Sequence, residues 1–236
     1  MANKNQETRT KIDDLNDSLT RAEQKVQDNK KLIMWISIVV AAIIAIVLIV
    51  IYAVVRPGQN KSNEQTGQVD NRAFIYEMQQ SQLGDSLQTA ELKQLVAAYE
   101  AAASNGYAGG NRAKLMAAVY SYQLGDYQKA LTMLQAYDRK DDVIGATSYA
   151  LEGDCYVNLD KLSEALDCYD KAISRCDQNP MLMPYFLMKK ASVYRAQKNY
   201  QAEADIYQQL LDEYPQYGVE NGIDFEKYLE RAKNSK

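Results

Sequence analysis

Histidine is absent from all 236 residues. That removes the commonest general base and the commonest transition-metal ligand together. Cysteine is scarce, and Cys155, Cys168 and Cys176 show no paired CxxC spacing for zinc or thiol redox chemistry. They read as small core thiols, with a Cys155–Cys168 bridge between two helices left open. No GxSxG elbow, no phosphate-cradling glycine loop and no HExxH motif occurs. Pairs of Asp and Glu are frequent, but on amphipathic helices they read as solvated faces. No catalytic, cofactor-binding or metal site is therefore expected, and neither is an enzyme.

A basic run is also missing. The net charge is −4, and residues 57–236 carry 19 Lys/Arg against 25 Asp/Glu. Nucleic acid needs clustered cations to displace its counterions, so it is excluded as a partner. Phenylalanine occurs 3 times against 18 tyrosines. Helical repeats that stack aromatic slots would use such a bias.

What is present begins with a long apolar run. Leu32 to Val55 spans 24 residues with no charge and Ser37 as its clearly polar side chain. At about 1.5 Å per residue it is long enough to cross a hydrocarbon layer of about 30 Å. Trp35 and Tyr52 stand near its ends, where amphipathic rings favour the headgroup level. The run is too long for a signal-peptide core and has no small-x-small cleavage site after it, so an uncleaved anchor is expected. Lys30 and Lys31 abut it, which keeps the N-terminus in the cytoplasm and exports the large C-terminal part.

Residues 1–31 are polar. Ile12, Leu15, Leu19, Ala22 and Val26 recur there at alternating intervals of three and four. This stripe is either a short helix that pairs with itself or a partner, or a marginal helix leading into the membrane. Residues 56–70 are polar and lack apolar periodicity, as a linker would.

Beyond residue 71 the pattern turns helical and repeats. Gly153, Tyr156, Ala165, Tyr169 and Ala172 follow one another at spacings of 3, 9, 4 and 3. The intervals of three and four keep each set on one helical stripe, and Leu159-Asp160-Lys161 gives room for a tight turn. Upstream, Ala118, Gly125, Tyr127, Ala130 and Leu134 repeat the pattern; downstream, Ala191, Tyr194, Tyr200, Tyr207, Leu210 and Pro215 do so again. Glu203 departs from it, standing in the slot of Ala130 and Ala165. With Ala202 and Ala204 beside it, a slip of register is open. The pattern resembles the tetratricopeptide repeat. The resemblance implies an all-α chain with a single N-terminal transmembrane helix followed by a tetratricopeptide-repeat α-solenoid. Its expected divisions are a cytoplasmic segment (1–31), the span (32–55), a linker (56–70) and a repeat domain (71–236). The last comprises a degenerate cap (71–112), three repeats (about 113–215) and a C-terminal capping helix (216–236).

Carried over by register, the groove-facing slots of the first repeat are Leu115, Val119, Tyr122 and Gln123. In the second they are Thr147, Ala150, Asp154, Val157 and Asn158, and in the third Tyr185, Met188, Ser192 and Arg195. This lining suits extended or helical apolar peptide segments. The whole layout, closing with IDFEKYLERAK over 223–233, resembles the YfgM-like family of membrane-anchored tetratricopeptide proteins of the bacterial envelope. The resemblance implies an inner-membrane, single-pass scaffold, an ancillary subunit of the secretion translocon. Its periplasmic domain would bind translocon subunits, a periplasmic chaperone or newly exported clients. The competing expectation is a structural organiser that binds one fixed partner in an envelope or division complex.

Overall fold

A computed structural model describes Thr20, Gln27, residues 29–176 and residues 179–235. The stripe from Ile12 to Val26 lies outside the described residues. Among those described, every regular element is helical. The chain divides into two compact units, Met1–Gly58 and Gln59–Lys236.

The first unit holds α1 (Lys30–Val50) and a π-helical turn (Ile51–Val55). None of the α1 side chains is buried, although nearly all are apolar. It is the one described helix long and apolar enough to cross a membrane. In hydrocarbon every polar group must be satisfied within the helix, and Ser37 complies by donating to the Ile33 carbonyl at 2.9 Å. At the far end the Arg56 guanidinium lies 4.3 Å from the Tyr52 ring centroid. The π-turn has a local cause. Pro57 has no N–H and its ring crowds the carbonyl four residues back. The ladder widens, so that the Arg56 N–H bonds to the Ile51 carbonyl, five residues back.

Residues 56–70, expected as a linker, are helical instead, within α2 (Arg56–Gln79). The buried side chains of α2 are Ser62, Thr66, Ala73 and Tyr76, a helical stripe whose first two members are small and polar. A search for apolar periodicity is blind to such a stripe. Ser62 donates to Asn105 Oδ1 at 2.5 Å and accepts from the Gly110 N–H at 3.0 Å. Gly109 makes room for this contact, since a Cβ there would sit 2.6 Å from the Ser62 carbonyl oxygen. Further along, Asp70 accepts from the Tyr99 hydroxyl (2.8 Å) and pairs with Arg112 (2.7 Å), and Glu77 accepts from the Tyr120 hydroxyl (2.6 Å).

A 3-10 turn leads to α3 (Asp85–Ala103) and α4 (Ala108–Gln123). Then come α5 (Tyr127–Ala136), α6 (Asp142–Asn158), α7 (Leu162–Arg175), α8 (Leu182–Ala196) and α9 (Tyr200–Glu213). From α3 to α9 each helix packs on its neighbour in sequence. Of the positions assigned from spacing, the small residues Ala118, Ala130, Gly153, Ala165 and Ala191 all lie inside, whereas Gly125 and Pro215 are exposed. At Gly153 the need for a missing side chain is direct, because a Cβ would meet the Tyr169 ring at 2.7 Å. The hairpin turns also repeat. Gly125, Asp160 and Lys198 occupy equivalent places and all take left-handed backbone, with φ of 78°, 59° and 59°.

That shared turn fixes the register at Glu203, and no slip occurs. Its carboxylate is fully buried in the alanine slot, held by Arg231 at 2.7 Å and Arg195 at 3.3 Å. A buried charge tolerates such a site only when paired. The expected single C-terminal helix is two, α10 (Pro215–Asn221) and α11 (Phe225–Lys233), because Gly222 turns left-handed between them at φ 66°. Phe225 and Leu229 of α11 are buried, and Tyr228 stacks on Tyr207 with centroids 5.2 Å apart. All three cysteines are buried, and burial pushes the Cys155 and Cys168 thiols up to about 12.

Ala165 is fully buried at the α6–α7 contact. Ala165→Leu should overpack that contact and cost about 1–3 kcal/mol, read as a lowered midpoint in chemical denaturation. An unchanged midpoint would contradict the packing described.

Candidate functional site

The first helices of the three expected repeats, α4, α6 and α8, carry the residues expected to line a groove. Five of these are drawn into one polar and aromatic surface or stand beside it. At its centre is Asp154 on α6. It accepts a 2.6 Å hydrogen bond from the Tyr169 hydroxyl of α7 and two 2.8 Å hydrogen bonds from the Lys189 ammonium of α8. Asn158, one turn on, donates to the Asp154 carbonyl at 2.8 Å and to the Tyr122 hydroxyl of α4 at 3.4 Å. Lys189 also lies 4.9 Å from the Tyr185 ring centroid, and Ser192 donates to the Lys189 carbonyl at 2.6 Å. One network thus joins α4, α6, α7 and α8.

The remaining expected residues divide. Gln123 and Val157 are exposed, as Tyr185 is. Leu115 and Met188 are half-buried and pack on the neighbouring core clusters, and Val119 is half-buried as well. Ala150 is buried outright, and Thr147 turns its hydroxyl back to the Val143 and Ile144 carbonyls. Arg195 is committed to Glu203, so its charge is used within the chain.

Sequence reasoning missed Lys189 and the second role of Tyr169. Lys189 stands outside the slots assigned to the groove, and its partner lies 35 residues away on another repeat. The signal available was Asp154 itself. A carboxylate in a half-buried slot demands a cation, and on a stack of repeats the next repeat is the place to find one.

Electrostatics follow from this geometry. Burial and the adjacent Asp154 carboxylate both hold the Tyr169 hydroxyl well above its ordinary value. Tyr122 is raised for the same two reasons. Burial pulls Lys189 down, but the hydrogen bonds and charge of Asp154 outweigh it and the net direction is upward. Asp154 is therefore neutralised internally. What the surface turns outward is the Tyr185 ring, the aliphatic Val157, and the amides of Gln123 and Asn158. That combination can grip peptide backbone and apolar side chains, but has no spare charge for an ion.

Elsewhere, a cleft of about 780 Å³ is lined by Asp142, Tyr149, Asp170, Lys171, Ser174 and Arg175. Its charges are of both signs and cross-paired, with Arg175 3.6 Å from Asp142 and Lys190 2.5 Å from Asp170. Among the described residues no group of three His, Cys, Asp or Glu is gathered to hold a metal.

Comparison with known families covers part of this region. Residues 150–218 match the tetratricopeptide repeat family model. The match covers the end of α6 together with α7, α8, α9 and most of α10. No curated protein matches the chain. The matched segment supports a tetratricopeptide-repeat protein, and repeats of this kind support a role in protein–protein contact.

The raised tyrosine and lysine groups have a consequence at high pH. Above about pH 10 an unfolded chain loses its tyrosine protons, while buried Tyr169, Tyr99 and Tyr120 keep theirs. The unfolded state then binds fewer protons than the folded one, so stability falls as pH rises. Lys189, also raised, adds to the loss from about pH 10.4 upward. Thermal melts should decline gently from about pH 8.5, where unfolded Cys155 and Cys168 lose their protons and the buried thiols do not, and steeply beyond about pH 10, with a shallower steep phase for Tyr169→Phe. Equal slopes for the two proteins would contradict the assignment of Tyr169.

Proposed function

We propose that this chain is a membrane-anchored scaffold whose repeat helices form a solenoid with a peptide-binding inner face. The observation that carries the reading is the network joining Tyr122, Asp154, Asn158 and Lys189 across α4, α6 and α8. It holds three first helices in fixed relation, and leaves the exposed Tyr185 ring and Gln123 amide to contact a partner. Consecutive helix packing from α3 to α9 supports the solenoid. The apolar α1 supports the anchor, and Lys30-Lys31 before it favour a cytoplasmic N-terminus and a periplasmic repeat domain.

The mechanism is tethering. A single span confines a modest-affinity surface to the membrane, which raises its effective concentration where clients emerge. Apolar contacts from Tyr185 and Val157 shield hydrophobic client segments, and modest affinity allows release without an energy source. In its specific form, the surface holds a periplasmic chaperone or newly exported proteins beside the secretion translocon of the bacterial inner membrane.

The test is crosslinking of the full-length protein in host membranes, followed by mass spectrometry. Translocon subunits together with a periplasmic chaperone are the expected products. Tyr185→Ala should lower their recovery about tenfold, equivalent to roughly 1.4 kcal/mol, without loss of helicity. Recovery of one envelope complex with no secretion components would replace this reading with that of a fixed-partner organiser.

A further inference from the structure

A pocket of about 380 Å³ lies where α9 ends and α10 turns into α11. Its walls are apolar, made by Leu211, Pro215, Val219, Ile223 and Phe225. The turn beneath it is fixed. The Ile223 N–H bonds to the Gly218 carbonyl at 2.7 Å and the Gly222 N–H to the Val219 carbonyl at 3.3 Å, with Gly222 left-handed. That pair of bonds is a Schellman cap, which sets the angle between α10 and α11. Gly218 permits the close approach, since a Cβ there would sit 2.8 Å from the Ile223 carbonyl oxygen and 3.0 Å from the Phe225 ring. Val219 on the lip of the pocket is 78% exposed, more than any large apolar side chain of α1. An open apolar pocket with so exposed a lip has the form of a ligand site.

The charge around the pocket selects its occupant. From Asn199 to Glu226 the chain carries seven carboxylates and neither Lys nor Arg. Glu203 is consumed inside by Arg195 and Arg231. The other six, Asp205, Asp212, Glu213, Glu220, Asp224 and Glu226, are exposed, and among the described residues none of them joins an ion pair. Their hydrogen bonds come from neutral donors. The Gln201 amide donates to Asp205 at 2.8 Å, Gln208 to Asp212 at 3.1 Å and Gln209 to Glu213 at 3.1 Å. Asp224 accepts from the Lys227 backbone N–H at 3.0 Å. A neutral donor satisfies a carboxylate oxygen but leaves its charge in place. Asp224 and Glu226 stand in the lining of the pocket itself, and Glu220 follows Val219.

Apolar walls and an uncompensated acidic rim are complementary to one kind of segment, an aliphatic residue with cations beside it. We propose that this pocket is a second docking site, which takes a peptide segment whose aliphatic side chains are flanked by Lys or Arg. The aliphatic group fills the space between Val219, Ile223 and Phe225, and the cations lie over Glu220, Asp224 and Glu226. A second copy of the chain is the weaker match, because residues 57–236 carry 19 Lys/Arg against 25 Asp/Glu and two copies repel. The site shares no residue with the α4–α6–α8 face, so its test stands apart from the proposed function.

The test titrates full-length protein, in nanodiscs of zwitterionic lipid, into a fluorescein-labelled Lys-Lys-Leu-Leu-Lys-Lys peptide and reads anisotropy. Saturable binding that weakens as salt rises is the expected result. Serine in place of both peptide leucines should weaken it about tenfold, and Val219→Ser in the protein about fivefold. Glu220→Gln with Glu226→Gln should weaken it about tenfold, and Tyr185→Ala should leave it unchanged. Helicity should be the same in every variant, because all four positions are exposed. Four results overturn the proposal. These are no saturable binding, equally tight binding of the serine peptide, or a loss with Tyr185→Ala but none with Val219→Ser. The fourth is a homodimer adduct, in place of a peptide adduct, from a photoreactive amino acid at position 219.

Discussion

Tyr169 lies where the packing of the repeats and the chemistry of their surface meet. Its ring occupies the space that a side chain at Gly153 would fill, which lets α7 close on α6. Its hydroxyl donates to Asp154, and Asp154 in turn receives the ammonium of Lys189 from the following repeat. One residue thus ties the contact within a hairpin to the contact between hairpins. Close packing alone is non-directional and tolerates sliding; hydrogen bonds to a half-buried carboxylate do not. The relative position of α6 and α8, and with it the geometry of the exposed surface, depends on this arrangement.

A different solution appears at the C-terminal end. There the alanine slot is filled by Glu203, and the larger side chain is accommodated by turning the slot into an ion-pair site for Arg195 and Arg231. Arg231 belongs to α11, so the substitution fastens the closing helix to the last repeat. Stacking of Tyr228 on Tyr207 completes the attachment.

Much of the fold could be read from spacing because small residues at helix crossings have a fixed period. Ala118, Ala130, Gly153, Ala165 and Ala191 were assigned by interval and all are buried. Two features escaped for physical reasons. The helix over 56–70 escaped because Ser62 and Thr66 are small enough to pack but read as polar, so the stripe they form has no hydrophobic signature. Lys189 escaped because its role is set by a neighbour on another repeat, and long side chains reach beyond the slots that helical periodicity defines. Of the surface residues read by register, Tyr122, Asp154 and Asn158 share hydrogen bonds and Tyr185 stands beside Lys189. Arg195 is engaged by Glu203, a partner that the alanine pattern gave no reason to expect.

The central claim is that the surface built on Asp154 and Lys189 contacts a protein partner. The most direct measurement places a photoreactive amino acid at Tyr185, at Asn158 and, as reference, at exposed Thr132 of α5, in full-length protein in host membranes. The account predicts adducts to the same partner from positions 185 and 158 and none from 132. Equal adducts from all three positions, or adducts from 132 alone, would contradict it.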